Sequence, residues 1–193
     1  MKNTYFISDL HFGHKNIIKY ANRPFTSVDE MDETIIKNWN GMIGKTDEVY
    51  ILGDVSLTNS ERTKEILNRL NGRLYLIKGN HEKSVMSSKE NRDRFEWIKD
   101  YYELKYEYNG KRNMIVMCHY AMRVWNKSHH GAYHLYGHSH DSLEYEQWGK
   151  SMDVGIDSAA RIFGEYRPFT FDEIDGILSK RIPKEIDHHV AVR

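Results

Sequence analysis

The sequence predicts an α/β protein, and three observations predict it. Apolar runs at residues 4–7, 49–52 and 74–77 are rich in β-branched and aromatic side chains and are too short for helices. Between them lie segments with apolar residues at helical spacing, so strand alternates with helix. Residues 49–77 hold a strand, a helix and a strand in about thirty residues, the length of a parallel βαβ crossover.

The elements follow in order. Residues 4–7 form a buried strand, and Phe12, Gly13 and His14 the loop after it. Residues 16–20 read as a short helix. Ser27 with Glu30 is a capping box that opens a helix through about Trp39, with Met31, Ile35 and Trp39 on one face and Gly41 and Gly44 ending it. After the second strand, Asn59 or Ser60 caps a helix with Ile66, Leu67 and Leu70 inside and Asn71-Gly72 as its stop. Residues 83–94 are polar and read as loop with a helical turn. Leu104, Tyr106 and Tyr108 alternate into a tight Asn109-Gly110 hairpin turn, and residues 114–117 return as a strand. Residues 121–133 are irregular, Leu135-Tyr136 is a short strand, and residues 144–153 suggest a further antiparallel strand. Thr170 with Glu173 is a second capping box, with Ile174, Ile177 and Leu178 facing inward.

The totals bound the function. The 193 residues fit one domain, residues 1–193, with a polar tail from about residue 183 that carries His188 and His189. Basic and acidic side chains balance at 28 each, which argues against a dedicated binder of long nucleic acid. One cysteine, Cys118, leaves no intrachain disulfide and points to a reducing, cytoplasmic setting. No secretory leader is read before the first strand, and no apolar stretch reaches the roughly 18 residues of a membrane helix. Eleven histidines beside a single cysteine favour imidazole–carboxylate metal chemistry over thiolate sites.

The chemistry gathers at strand ends. Asp9, Asp54, Asn80, His119 and His138 each follow an apolar strand within one to three residues. Taken singly, each is ordinary turn chemistry. Together they place candidate groups on the carboxyl rim of a mostly parallel sheet, where sites of open α/β folds are built. His11 and His140 complete Asp-x-His and His-x-His pairs, whose members face one side in extended chain. Two carboxylates, one amide and four imidazoles exceed one ordinary ion and suit two divalent ions with a shared ligand.

Asp9-Leu10-His11, Gly53-Asp54, Gly79-Asn80-His81-Glu82, His119 and Gly137-His138-Ser139-His140 resemble the five motifs of the calcineurin-like metallophosphoesterases. The resemblance spans residues 9–140 and implies a four-layer α/β/β/α sandwich of two mixed β-sheets. It implies one metal on Asp9, His11, Asp54 and His140, and a second on Asp54, Asn80, His119 and His138, with Asp54 bridging. It also implies His81 as a catalytic, non-ligand histidine beside the leaving group. The cofactors expected are two divalent ions, with Mn2+ favoured and Fe, Zn or Ni as alternatives.

The implied reaction is hydrolysis of a small, nucleotide-like phosphodiester or phosphomonoester. A nuclease or RNA/DNA-end phosphodiesterase and a non-catalytic scaffold of the same fold are the alternatives; a scaffold would be expected to lack ligands that are all present here. The family's protein phosphatases carry an arginine soon after the second motif. Here Gly53-Asp54-Val55-Ser56-Leu57 has none before Arg62, which argues against that activity. His14, Arg23, Arg123 and Trp125 are the substrate-binding candidates; His129 and His130 share their loops, Trp125 or Tyr120 would stack on a base, and Asp157 and Arg161 are weaker candidates. The expected partner is a small phosphorylated molecule, with no membrane and no long nucleic acid.

Overall fold

The computed structural model describes residues 3–108 and 110–184. Strands β1 (Thr4–Ile7), β2 (Glu48–Ile51), β3 (Arg73–Ile77) and β4 (Phe95–Lys99) lie parallel, side by side. A second sheet holds β5 (Tyr101–Tyr108), β6 (Lys111–Cys118), β7 (Tyr133–Tyr136) and β8 (Ser151–Asp153). In it β5 is antiparallel to β6, and β6, β7 and β8 are parallel. The short β9 (Phe169–Thr170) adds to the first sheet antiparallel to β1, so both sheets are mixed. The fold is the expected α/β class of two mixed sheets with helices.

Two cores explain why β1, β2 and β3 are apolar without a break. Tyr5, Ile7, Val49, Ile51, Leu74 and Leu76 face helices α2 (Val28–Met42) and α3 (Ser60–Arg69) through Met31, Ile35, Trp39, Ile66 and Leu67. The intervening Phe6, Tyr50, Tyr75 and Ile77 face the second sheet's Ile115, Met117, Leu135 and Met152. A strand covered on both faces has no polar side, so its pattern is a run rather than an alternation. Each such side chain stabilises the fold by roughly 1.5–3 kcal/mol through burial. An aromatic ladder crosses between the sheets, with ring centroids 5.6 Å apart for Phe6–Tyr50, 4.8 Å for Tyr50–Tyr75, 5.2 Å for Tyr75–Trp97 and 4.6 Å for Trp97–Tyr102. Helices α6 (Ile156–Phe163) and α7 (Phe171–Leu178) add Ala159, Ile174 and Leu178 to this second core. The outer face of β6 is covered by Trp125, Ala132, Met122 and Trp148, all from irregular chain.

The caps form largely as expected. Asn59 accepts the Arg62 N–H at 2.8 Å, and Thr170 and Glu173 close a full capping box. Ser27 accepts the Glu30 N–H at 3.1 Å, but the Glu30 carboxylate reaches one residue further back, to Thr26 N–H at 2.8 Å and its hydroxyl at 2.6 Å. Helix α2 runs through Gly41 to Met42, and α1 (Ile17–Tyr20) is the expected short helix.

Two expectations need correction. Residues 83–94 contain two short helices, α4 (Lys83–Met86) and α5 (Lys89–Arg92), and lead into the unforeseen β4, an edge strand whose exposed Glu96 and Lys99 hide its pattern. In residues 144–153 only Ser151–Asp153 is strand, and it is parallel to β7. The Glu144 carboxylate instead fixes a turn, accepting from Tyr136 Oη at 3.0 Å and Asp153 N–H at 2.9 Å. Asn109 of the expected hairpin turn and residues 185–193 of the tail, with His188 and His189, lie outside the described residues.

The sheets are joined at their carboxyl rims. Ser8, just after β1, donates its N–H to Val154 O at 3.0 Å and accepts from Ile156 N–H at 3.0 Å. Val154 in turn bonds Tyr136 O at 2.8 Å. This seam sets the ends of β1, β7 and β8 side by side.

Candidate metal centre

The candidate ligands occupy the turns in which the parallel strands end. Asp9, His11, Asp54, His138 and His140 all adopt left-handed backbone, with φ between 46° and 67°. A non-glycine residue there costs of order 1 kcal/mol or more and persists where its surroundings impose it. Those surroundings are visible. Asp9 N–H donates to Gly53 O at 3.1 Å and His11 N–H to Asp54 O at 2.9 Å. His138 N–H donates to Asp9 Oδ2 at 2.8 Å, and His81 N–H to Asp54 Oδ1 at 2.9 Å. The backbones approach so closely that Gly79 and Gly137 have no room for a side chain. A Cβ on Gly79 would lie 2.2 Å from Asp54 Oδ1, and one on Gly137 2.4 Å from Asp9 Oδ2.

Two groups of ligand atoms result. In the first, Asp9, His11 and His140 converge, with His11 Nε2 3.8 Å and His140 Nε2 4.0 Å from Asp9 Oδ1. In the second, Asp54, His119 and His138 converge, and Asn80 Oδ1 sits 3.1 Å from His119 Nε2 and 3.0 Å from His138 Nδ1. Asp54 stands between them: Oδ2 is 3.5 Å from His11 Nε2, and Oδ1 is 3.6 Å from His119 Nε2.

The donor chemistry fits cations at both places. His119 Nδ1 lies 2.7 Å from Leu52 O, which only accepts, so Nδ1 carries the hydrogen and Nε2 presents a lone pair to two oxygens. His140 Nδ1 lies 2.7 Å from Asp157 Oδ2, which likewise leaves Nε2 to face Asp9. Burial, with His140 and Arg23 nearby, pulls the His11 imidazole down to about 2, so it stays a neutral electron-pair donor. Asp9 Oδ1 and His11 Nε2 are buried with no hydrogen-bond partner. Lone pairs facing one another in a buried site repel unless a positive charge lies among them.

Further residues hold these donors in place. Arg23 is buried and bidentate to Asp157, at 2.8 and 2.9 Å, and donates to the Asp9 and Leu10 carbonyls at 2.7 and 3.0 Å. Burial alone would raise the Asp157 carboxyl, but His140 and Arg23 outweigh it and hold it below its usual range. Glu82, from the Asn80-His81-Glu82 turn, is buried and pushed up to about 7 by burial and by Asp54.

The substrate candidates divide. His14 is half-buried with its ring 5.4 Å from that of His11, and the exposed His81 ring is 5.7 Å from His11. Arg23 is not free for substrate, since its guanidinium is spent on Asp157 and two carbonyls. Trp125 is core, its indole N–H given to Ala132 O at 2.9 Å, so it offers no stacking face to the site. Arg123 lies outside the ligand groups, against the Trp148 ring. Tyr120 is 48% exposed and packs edge-on to the His138 ring at 4.8 Å. Arg161 pairs with Asp141 and does not join the ligands. Asp157 proves more central than its sequence signal, and Asp153, buried beside Asp9, gave none; Asp153 ends β8 and Asp157 follows it, and the three residues of that strand are too few to read as one.

Residues 2–111 match the model of the calcineurin-like phosphoesterase family, which is more than half of the chain. The chain is a member of that family. The matched stretch holds Asp9, His11, Asp54, Asn80 and His81, while His119, His138 and His140 lie beyond it and are joined to it by the geometry above. An uncharacterized protein of Methanocaldococcus jannaschii is 34% identical over 185 residues, 93% of each chain. The gene 66 protein of Mycobacterium phage L5 is 41% identical over 85 residues, 42% of this chain and 41% of that protein. A solved structure of a protein of unknown function from Aquifex aeolicus aligns with a TM-score of 0.65 and 26% identity, covering 91% of this chain and 99% of that one. Members of this phosphoesterase family generally bind divalent metals, and the two ligand groups are the candidate places for them here. Membership of a phosphoesterase family points to hydrolase activity. Among the described residues, no helix of this family member is long and apolar enough to cross a membrane.

Proposed function

We propose that the chain is a phosphohydrolase that works with two divalent cations on a small phosphodiester or phosphomonoester, nucleotide-like in kind, in a reducing cytoplasm. The observation that carries this reading is Asp54, whose two carboxylate oxygens face two separate sets of inward lone pairs. Asp9, His11, Asp54 and His140 would hold one cation, and Asp54, Asn80, His119 and His138 the other. Mn2+ is the ion favoured for activity, since the set mixes nitrogen and oxygen and lacks sulfur. When bound, such a pair neutralises phosphate charge and makes water a nucleophile at neutral pH.

The chain's own residues do the rest. The turns after β1, β2 and β3 fix the donors, so little reorganisation accompanies the reaction. His81 has an exposed ring beside the first group, while its backbone N–H is anchored on Asp54. It is placed to give a proton to the departing oxygen. His14, whose ring lies 5.4 Å from that of His11, would contact a phosphate oxygen.

The test is a pair of generic substrates, bis(p-nitrophenyl) phosphate and p-nitrophenyl phosphate, assayed with Mn2+ alongside metal analysis. Two metals per chain with turnover of either substrate is expected. Two bound metals with no turnover of any phosphoester would overturn the reading in favour of a scaffold.

A further inference from the structure

A cavity of about 400 Å3 opens beside the candidate centre, between the loop that follows His119 and the loop that follows His140. Its walls include Met122, Leu143, Trp148 and Tyr136, with Arg123 and Glu146 at its polar edge. Its lining begins at Ala121, two residues after His119, and at Leu143, three after His140, so those walls start within roughly 7–11 Å of chain from the two ligands. Leu143 is 40% exposed, and Tyr120, which joins His119 to the cavity's Ala121 in the chain, is 48% exposed. Large apolar groups left open beside a reaction centre mark a binding surface.

The polar edge narrows the choice of ligand. The Arg123 guanidinium lies 5.6 Å from the Trp148 ring centroid and pairs with no carboxylate among the described residues. Glu146 likewise has no ion-pair partner among them. A purely aliphatic group would leave both charges unused, and a second bare phosphate would be repelled by Glu146. A flat heteroaromatic ring uses the apolar walls with its faces, while its edge donates to a carboxylate and accepts from a guanidinium.

We propose that this cavity is a nucleobase subsite, and that the natural substrate is a small nucleoside phosphoester whose base lies between Leu143 and Trp148 beside Arg123 and Glu146. The proposal rests on the phosphohydrolase reading and makes its substrate class specific.

Two measurements separate the readings. Titration of the metal-free protein with AMP and with glycerol 3-phosphate tests the base alone. AMP should bind at least about tenfold more tightly, and that preference should be lost in Arg123→Ala and in Leu143→Gln. Hydrolysis of adenosine 2′,3′-cyclic phosphate and glycerol 1,2-cyclic phosphate compares the same strained diester with and without a base. The kcat/KM ratio should favour the nucleoside by about tenfold or more and fall in both variants through KM rather than kcat. Equal binding and equal kcat/KM for the two members of each pair, or a ratio that the variants leave in place, overturns the subsite. Loss of all hydrolysis, bis(p-nitrophenyl) phosphate included, with the AMP preference intact overturns the phosphohydrolase reading and leaves the subsite standing.

Discussion

Single residues at the rim work under constraint. Five candidate ligands hold left-handed backbone, a conformation that costs each of them on the order of 1 kcal/mol. The sequence shows which residues carry the chemistry, because Asp-x-His, Gly-Asp and Gly-His-x-His stand out as residue types. It does not show what orients them, because Arg23 and Asp157 are 134 positions apart and meet only in the fold. Asp157→Asn should lower affinity for one cation about 10- to 100-fold and spare the other, since His140 loses the partner that sets its tautomer. Isothermal titration of the metal-free protein resolves the two binding events. His81→Ala should cut turnover on a substrate with a poor leaving group by roughly 10²- to 10⁴-fold, with two metals still bound. A full rate in that variant would remove His81 from the acid role. Gly79→Ala should fail to hold metal, because its new methyl group falls 2.2 Å from Asp54 Oδ1.

At the level of elements, the buried strands and capped helices were legible because their signals are local. Uninterrupted apolar runs mark β1, β2 and β3, and an N-cap side chain three residues before the N–H that donates to it marks α3 and α7. Strands β4 and β8 were not, since one is edge chain with charges and the other is three residues long and gains its pairing from β7. Strand β7 offers a test of its own. His134 is buried on its outer face, with Nδ1 3.0 Å from Val116 O and Nε2 accepting Met122 N–H at 3.0 Å, which fixes the neutral ring. Burial lowers its folded pKa to about 4 from the ordinary 6.5. The unfolded chain therefore binds a proton first as pH falls. The stability this residue contributes is complete above pH 6.5 and is lost between there and about pH 4. The slope from this residue approaches about 1.4 kcal/mol per pH unit. Urea unfolding across that range should show the slope in the native chain and a shallower one in His134→Gln.

For the molecule as a whole, the fold class followed from alternation of strand and helix, and the second sheet's place followed from the family resemblance rather than from any pattern in residues 101–153. What no sequence pattern carried is how the two sheets meet. Donors from β1, β2 and β3 face donors from β6 and β7, so cations would bind only the folded arrangement. Mn2+ at a hundredfold over its dissociation constant should raise folding stability by about 2.7 kcal/mol per independent site. A melting temperature unmoved by Mn2+ and by chelator alike would argue that neither group binds it.

The seam at Ser8 has a mechanical consequence. One residue carries hydrogen bonds to both sides of the junction and stands immediately before Asp9, so the spacing between the two ligand groups is geared to the distance between the sheets. The aromatic ladder is then a spacer bar as well as a core. Trimming Tyr50 to Leu, well below the rim, should detune metal binding by letting the sheets settle closer together. A substitution with no atom near the site would in that way act as a gauge of how finely the two halves are held apart.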